Sequence, residues 1–148
     1  MTIKRILFAT DFLESSRIAL DYAVAIAHQF QASIAMIHAL VLPQPAIEAE
    51  IALHGPCMTR KAAVDKLNAF AAGVQRTGLT VETFVEDGVP YKVVLDAVQR
   101  LQTDLLVLGV HGIHRGLEHL LIGSNTERIL LAATCPTFNG WSPCYERS

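Results

Sequence analysis

Two pairs of small residues flank the segment of the sequence with the clearest potential for ligand chemistry. Gly109 and Gly112 follow a short apolar run, and after ten further residues Gly123 and Ser124 precede a helical pattern. Glycines after a strand let a ligand approach the backbone, and the free N–H groups of a helix N-terminus favour a phosphate. The spacing therefore indicates a phosphate site. The alternative is a capping box from Ser124 to Glu127, which requires no ligand.

A carboxylate ends the first apolar run, in the sequence Ala9-Thr10-Asp11. At the end of a strand, the Asp11 carboxylate can accept a hydrogen bond from a purine amino group or a ribose hydroxyl. Asp11 and Glu14 also have the spacing of a capping box, so capping of the first helix is the alternative interpretation.

The histidines match no standard catalytic or metal site. His38 ends a second apolar run, where we interpret it as a satisfied core or rim side chain. The backbone of Ala39 is the better ligand candidate, because a small residue leaves room for a flat ring. His111, His114 and His119 have no metal-ligand spacing, so no metal is expected. No common nucleophile, zinc, P-loop or dinucleotide motif occurs, and we expect no enzymatic activity.

The composition predicts one folded domain over residues 1–148. Half of the residues are hydrophobic (51%) and 18% are charged, which excludes a disordered chain. The net charge of −2 argues against nucleic-acid binding driven by bulk charge. No apolar run reaches the ~20 residues that span a bilayer, and the N-terminal run is too short for a secretion signal. We therefore expect a cytoplasmic protein with no membrane partner and with reduced cysteines.

Apolar strands alternate with helical patterns along the chain. Strands are expected at residues 3–9, 33–42, 79–86 and 104–108, and helices at 14–30, around 63–74, from Pro90 to Leu101 and at 124–133. The connection 43–59 has room for a helical turn at 46–53. The strand 79–86 has one wetter side and is expected near an edge. The tail after Cys135 predicts a fifth strand, cut short by Gly140 and Pro143.

This alternation predicts an α/β fold, a single doubly wound domain with a parallel sheet and right-handed crossovers. In such sheets ligands bind beyond the carboxyl ends of the strands, where the strand order reverses. If the runs that end at Asp11 and Gly109 are neighbours, their loops meet in one crevice.

In its order of motifs, the sequence resembles the universal stress protein family. The resemblance covers residues 3–137. Its motifs, in chain order, are the opening Lys4-Arg5-Ile6-Leu7-Phe8-Ala9-Thr10-Asp11-Phe12, the strand end Ile37-His38-Ala39, the turn Gly88-Val89-Pro90, the strand Asp104-Leu105-Leu106-Val107-Leu108-Gly109, and Gly123-Ser124, Glu127-Arg128-Ile129 and Cys135-Pro136. It implies a sheet of five parallel strands in the order 3-2-1-4-5.

Family members that bind ATP carry the pattern G-x₂-G-x₉-G-[ST], and Gly109, Gly112, Gly123 and Ser124 stand at those positions. The resemblance thereby implies an adenine-nucleotide site in three parts. Around adenine and ribose it places Ala9, Asp11 and Ala39, with Thr10 between the first two; along ribose and the first phosphates, Leu108, Gly109, His111 and Gly112; and at the phosphates, Gly123, Ser124, Asn125 and Thr126.

The resemblance implies a stress-response regulator that binds ATP, with or without Mg²⁺, forms a homodimer and acts on a protein partner. Three features depart from the family pattern. The glycine loop holds ten residues in place of nine, Leu13 stands where the family has a capping serine, and the tail is a poor strand for pairing across a dimer. One alternative function is a nucleotide-free homodimeric interaction module of the same fold. The other, ranked last, is a small hydrolase or phosphotransferase that uses Asp11 or a loop histidine.

Overall fold

The structure, a computed structural model, describes residues 2–12, 14–41, 59–109 and 124–140, without the side chains of residues 14, 15, 124–126, 139 and 140. The described residues form five strands that alternate with four helices. The strands are β1 (Arg5–Ala9), β2 (Ser33–Leu40), β3 (Val81–Asp87), β4 (Leu105–Gly109) and β5 (Thr137–Gly140). The helices are α1 (Glu14–Phe30), α2 (Arg60–Gln75), α3 (Pro90–Arg100) and α4 (Ser124–Ala132).

All five strands run parallel, in the order β3-β2-β1-β4-β5. The predicted α/β fold with its strand order is therefore confirmed. The strand with one wetter side, β3, lies at an edge as expected. The predicted fifth strand forms over Thr137–Gly140 within the described residues and pairs with β4.

The helices cover the sheet on both sides. One hydrophobic cluster joins the sheet to α1 and α2, and the other joins it to α3 and α4. Three alanines of α1, Ala19, Ala23 and Ala27, are fully buried at a spacing of four residues. Their small side chains form the inner stripe of an amphipathic helix and let α1 lie close to the central strands. The two faces of the sheet are therefore distinct, and each strand residue belongs to one of them.

Local signals start the second and third helices. The Oγ1 atom of Thr59 accepts a hydrogen bond from the N–H of Ala62 at 3.1 Å, which caps α2. Pro90 is the first residue of α3, where its missing N–H costs nothing. Gly88, in the turn before it, has a φ of 142°, which L side chains rarely adopt.

Several strand and helix ends differ from the predicted ones by one or two residues. β2 ends at Leu40, β3 spans Val81–Asp87, and α4 ends at Ala132. β4 begins at Leu105 and not at Asp104, and the Asp104 carboxylate accepts the backbone N–H groups of Lys4 and Arg5 at 2.9 and 3.0 Å. The helical turn predicted at 46–53 lies outside the described residues. Among the helices that the structure describes, none is long and apolar enough to cross a membrane.

Candidate functional site

The strand order reverses between β1 and β4. From β1 the chain continues through α1 to β2 on one side, whereas β4 lies on the other side of β1. The helices that follow these two strands, α1 and α4, cover opposite faces of the sheet. In parallel sheets, a crevice that binds ligands is expected at such a reversal, beyond the carboxyl ends of the two strands. The two apolar runs that were expected to be neighbours are neighbours.

Three of the predicted site residues share one face of the sheet near the carboxyl ends of the strands. Ala9 is paired in register with Leu108, and both contact the cluster on the α3 and α4 side, as does Ala39 of β2. Leu108 is 4% exposed, whereas Ala9 and Ala39 are partly exposed. At the carboxyl ends of the strands, this face of the sheet is therefore an apolar surface. The methyl side chains of Ala9 and Ala39 take up little space above β1 and β2.

The turn after β1 is held by hydrogen bonds to all the polar groups of Thr10. Its N–H donates to the carbonyl oxygen of Ile37 at 3.0 Å, and its hydroxyl accepts the N–H of Phe12 at 2.9 Å. The carbonyl oxygen of Thr10 accepts a hydrogen bond from Nδ1 of His38 at 2.8 Å. Thr10 is 7% exposed. It therefore acts as the internal support of the turn, with its polar groups already satisfied.

Phe12 completes this turn in a left-handed conformation, with a φ of 66°. Such a conformation costs a residue other than glycine about 1–2 kcal/mol. Three contacts offset this cost. The Phe12 ring lies 4.5 Å from the His38 ring and 5.7 Å from the Phe70 ring, and Nζ of Lys66 lies 5.8 Å from its centroid.

Asp11 does not cap the first helix in the way that its spacing to Glu14 suggested. A capping box with Glu14 requires Phe12 to be the first helical residue, and the left-handed backbone of Phe12 excludes this. The carboxylate accepts a hydrogen bond from the Ser16 hydroxyl at 2.7 Å instead. The Ser16 oxygen in turn accepts the N–H of Asp11 at 3.3 Å. Asp11 is exposed, so its carboxylate lies at the surface of the crevice while its backbone is tied to α1.

A cation and an aromatic ring contact each other between α3 and α4. The guanidinium carbon of Arg128 lies 4.7 Å from the ring centroid of Tyr91, within the range of a cation–π interaction. Tyr91 is partly buried against the cluster that contains Leu108 and Ala39. Arg128 lies one helical turn beyond the start of α4, and helical side chains lean toward the N-terminus. A positive charge is thus held beside the end of α4 at which phosphate binding was predicted.

The comparison with protein families decides the family of the chain. The model of the universal stress protein family matches residues 2–138. The chain belongs to this family. Universal stress protein MJ0531 of Methanocaldococcus jannaschii is 28% identical over 135 residues, which are 90% of this chain and 79% of that protein. Universal stress protein YxiE of Bacillus subtilis is 26% identical over 145 residues, covering 89% of this chain and 95% of that protein.

Solved structures share the fold of this universal stress protein. The hypothetical protein MJ0577 superposes with a TM-score of 0.77 at 21% identity, over 96% of this chain and 98% of its own. A universal stress protein in complex with cAMP gives 0.70 at 20% identity, over 94% and 97% of the two chains. The universal stress protein of Archaeoglobus fulgidus in complex with dAMP gives 0.67 at 16% identity, over 94% and 98%.

The described residues contain part of the site predicted for this universal stress protein. The structure brings Ala9, Thr10, Asp11, Ala39, Leu108 and Gly109 together at the carboxyl edge of β1, β2 and β4. Gly109 is the last described residue of β4. Ser124, Asn125 and Thr126 form the first turn of α4, and their side chains lie outside the described residues. His111, Gly112, Gly123, Leu13 and the ten-residue loop lie outside them as well.

Sequence reasoning did not name Ser16 or Tyr91, and it named Phe12 and Arg128 only as members of family motifs and not as site residues. For Phe12, Tyr91 and Arg128 no local pattern reveals the contact. Ser16 has a usable signal, since a hydroxyl five residues after a strand-end carboxylate can return to it from the first turn of a helix. Among residues 2–12, 14–41, 59–109 and 124–140, no group of three or more His, Cys, Asp or Glu side chains is arranged to hold a metal.

Proposed function

We propose that this universal stress protein binds an adenine nucleotide in the crevice beyond β1 and β4, and that its ligand is ATP. The observation that carries the proposal is the reversal of strand order between β1 and β4, with the Asp11 turn on one side and Gly109 on the other. The bound nucleotide acts as a signal that changes the affinity for a protein partner in the stress response.

The chemistry of the described edge supports a flat base and an anionic tail. The methyl groups of Ala9 and Ala39 leave a shallow apolar surface on which adenine can lie. The exposed Asp11 carboxylate is an acceptor for the purine amino group or for ribose hydroxyls. The first turn of α4 offers free N–H groups to phosphates, and the Arg128 guanidinium adds positive charge nearby.

Two structural relatives support the class of ligand. One is a universal stress protein in complex with cAMP and the other is the Archaeoglobus fulgidus protein in complex with dAMP. Both ligands consist of adenine, a sugar and a phosphate, which are the parts that we propose for the crevice. The choice of ATP rests on the glycine pattern that ends at Gly123 and Ser124, with Mg²⁺ as the accompanying ion.

We propose a binding protein and not an enzyme. Phosphoryl transfer needs metal ligands and several cationic groups around the transferred phosphate. Among the described residues near the carboxyl ends of β1 and β4, the side chains that could take part in phosphoryl transfer are Asp11 and Arg128, on opposite sides of the crevice. A rapid ATP turnover by the isolated protein would contradict this view.

One observation favours the second candidate function, a homodimeric interaction module in the cytoplasm that needs no nucleotide. Leu131 on α4 is 81% exposed, an unusual position for a large apolar side chain on an amphipathic helix. A second copy of the chain could cover it. Phe138 on β5 is partly buried against Tyr22, whose ring centroid lies 5.2 Å away.

The two functions are separated by a direct search for bound nucleotide. Protein purified without added nucleotide is denatured, and the released small molecules are identified by chromatography and mass spectrometry. The stripped protein is then titrated with ATP and Mg²⁺, while its mass in solution is measured. We expect ATP or ADP near one per chain, or saturable binding. An empty protein that ignores millimolar ATP and remains dimeric would establish the second candidate.

A further inference from the structure

The turn that carries Asp11 is held at both of its ends by one side chain of β2. We infer that His38 is a positioning residue for nucleotide binding: it fixes the backbone of Thr10 and the ring of Phe12, and so places Asp11 at the crevice. The inference rests on the proposed function and gives His38 a role that does not include contact with the ligand.

The first hold is the hydrogen bond between Nδ1 of His38 and the carbonyl oxygen of Thr10, at 2.8 Å. A carbonyl oxygen can only accept, so the hydrogen must be on Nδ1. Thr10 is 7% exposed, and its carbonyl has little access to water that could replace the histidine. The bond therefore fixes the direction in which the chain leaves β1.

The second hold is the contact between the rings of His38 and Phe12, whose centroids are 4.5 Å apart with 36° between their planes. Phe12 has the unfavourable φ of 66°, so its backbone needs support from its side chain. Phe70 of α2 supports the same ring from another direction, at 5.7 Å in an edge-to-face arrangement. The aromatic contacts fix the far end of the turn.

His38 acts from the side of the sheet opposite to the apolar surface at the crevice. Successive strand residues point to opposite faces, and Ala39 contacts the cluster on the α3 and α4 side. Phe12 and Phe70 belong to the cluster on the α1 and α2 side, which is where the His38 ring meets them. Two neighbouring residues of β2 thus have different roles. Ala39 leaves room for the base, and His38 holds the turn that faces it.

Asp11 lies between the two residues that His38 holds. Its own side chain and N–H are tied to Ser16 at 2.7 and 3.3 Å. With Thr10 and Phe12 fixed, the carboxylate is presented in one orientation before a ligand arrives. Preorganisation of this kind raises affinity, because the ligand does not have to order the turn.

A matched pair of substitutions isolates the hydrogen bond. In His38→Asn the side-chain nitrogen can occupy the position of Nδ1, whereas in His38→Gln it can occupy that of Nε2. Both variants remove the ring and its contact with Phe12. ATP with Mg²⁺ is titrated into the wild type and both variants by calorimetry, and the thermal unfolding of each is recorded. We expect His38→Gln to bind ATP about five- to tenfold more weakly than His38→Asn, the effect of one hydrogen bond.

The outcomes separate this inference from the proposed function. If the wild type shows no saturable ATP binding, the proposed function fails and the role of His38 fails with it. If the wild type binds ATP and the two variants bind it equally well, the positioning role alone is wrong. The positioning role is also wrong if His38→Gln binds ATP more weakly than His38→Asn but also unfolds at a correspondingly lower temperature. His38 would then support only the fold.

Nitrogen NMR of the wild type provides a measurement that does not depend on folded variants. The Nδ1 resonance of His38 in the neutral ring should show the protonated form, and Nε2 the unprotonated form. The opposite tautomer would remove the bond to Thr10 and overturn the inference whatever the affinities are.

Discussion

The Ser16 hydroxyl donates a hydrogen bond to the Asp11 carboxylate at 2.7 Å and accepts the Asp11 N–H at 3.3 Å. Ser16 is 1% exposed, so neither bond can be replaced by water without rearrangement. We predict that Ser16→Ala lowers the free energy of unfolding by about 1–3 kcal/mol, since it removes both hydrogen bonds that tie the turn to α1, one of them to a charged group. Urea unfolding measures the loss.

Asp11→Ala is the matched control for this prediction. It removes an exposed carboxylate but leaves the Ser16 hydroxyl bonded to the N–H of residue 11, so it should cost less stability than Ser16→Ala. In ATP titrations the order should reverse, because Asp11 faces the ligand. A larger stability loss in Asp11→Ala would contradict the geometry described here.

Two substitutions at the start of α4 test where the phosphates bind. Ser124→Ala removes one hydrogen bond to a charged group and should weaken ATP binding by about 1.5–3 kcal/mol. Gly123→Leu places a side chain where the backbone is proposed to approach the phosphates, and it should abolish binding. Calorimetric titration compares the two variants. Equal effects would argue against a backbone cradle at this position.

The turn between β3 and α3 depends on a glycine. A Cβ atom at Gly88 would lie 3.0 Å from Cγ2 of Val93, at a φ of 142°. Gly88→Ala should therefore lower stability by at least the ~1–3 kcal/mol of a strained backbone. Gly78→Ala is the control, because Gly78 also has a positive φ, of 98°, but its Cβ would meet nothing within 4 Å. Chemical unfolding should rank Gly88→Ala as the less stable variant, and adding Val93→Ala should return part of the loss.

Gly73 weakens α2 without a visible benefit to packing. It lies inside Arg60–Gln75, and a Cβ atom there would meet nothing within 4 Å. Gly73→Ala should raise the free energy of unfolding by up to about 1 kcal/mol, the difference in helix propensity. Ala69→Gly, at an exposed position of the same helix, should lower it by a similar amount. An unchanged or reduced stability of Gly73→Ala would contradict the open space beside Gly73, which lies in the groove of about 390 Å³ between α1 and α2.

Burial raises the pKa of the Cys135 thiol. At pH 8 the thiolate fraction is therefore smaller in the folded protein than in the unfolded chain, and iodoacetamide should modify Cys135 more slowly before unfolding than after it. Peptide mass spectrometry distinguishes this thiol from Cys57 and Cys144. Because the folded pKa is the higher one, the contribution of Cys135 to stability is complete below its ordinary pKa of about 8.5 and is lost as the pH rises above it. Cys135→Ser should remove that part of the pH dependence.

Much of the fold could be predicted from local patterns. The stripe of Ala19, Ala23 and Ala27 defines the buried side of α1, and Pro90 marks the first residue of α3. The apolar run after Asp104 defines β4 because a strand covered on both faces needs no polar alternation. The strand order came from the resemblance to a family, since the alternation of strands and helices does not by itself fix which strands are neighbours.

The details of the site could be predicted only in part. Ala9 and Ala39 were placed correctly at the carboxyl ends of β1 and β2, since their positions follow from where the strands end. The hydrogen bond between His38 and Thr10 joins residues 28 positions apart, and the contact of Tyr91 with Arg128 joins two helices. The left-handed backbone of Phe12 is supported by ring contacts with His38 and Phe70. No spacing rule contains these contacts, so the spacing of Asp11 and Glu14 does not reveal that Phe12 lies outside the helix.

Charged side chains cover the outer side of β3. The carbonyl oxygen of Thr80 and the N–H of Gly88 form hydrogen bonds with β2. Because successive residues of a strand direct their backbone groups to alternate sides, the carbonyl of Val85 faces away from β2. Arg60 donates to this carbonyl at 3.1 Å and pairs with Asp87, while Arg100 pairs with Glu86.

Because of these side chains, the two edge strands of the sheet, β3 and β5, differ in how readily a further strand can pair with them. A further strand that approached β3 would have to displace Arg60 from Val85. At the other end, within the described residues, β5 is paired on its β4 side. If two chains join through their sheets, the described residues favour a union at β5 over one at β3. Each chain then keeps β3 as a described edge that resists a further strand, and this opposes growth by repeated addition of sheets.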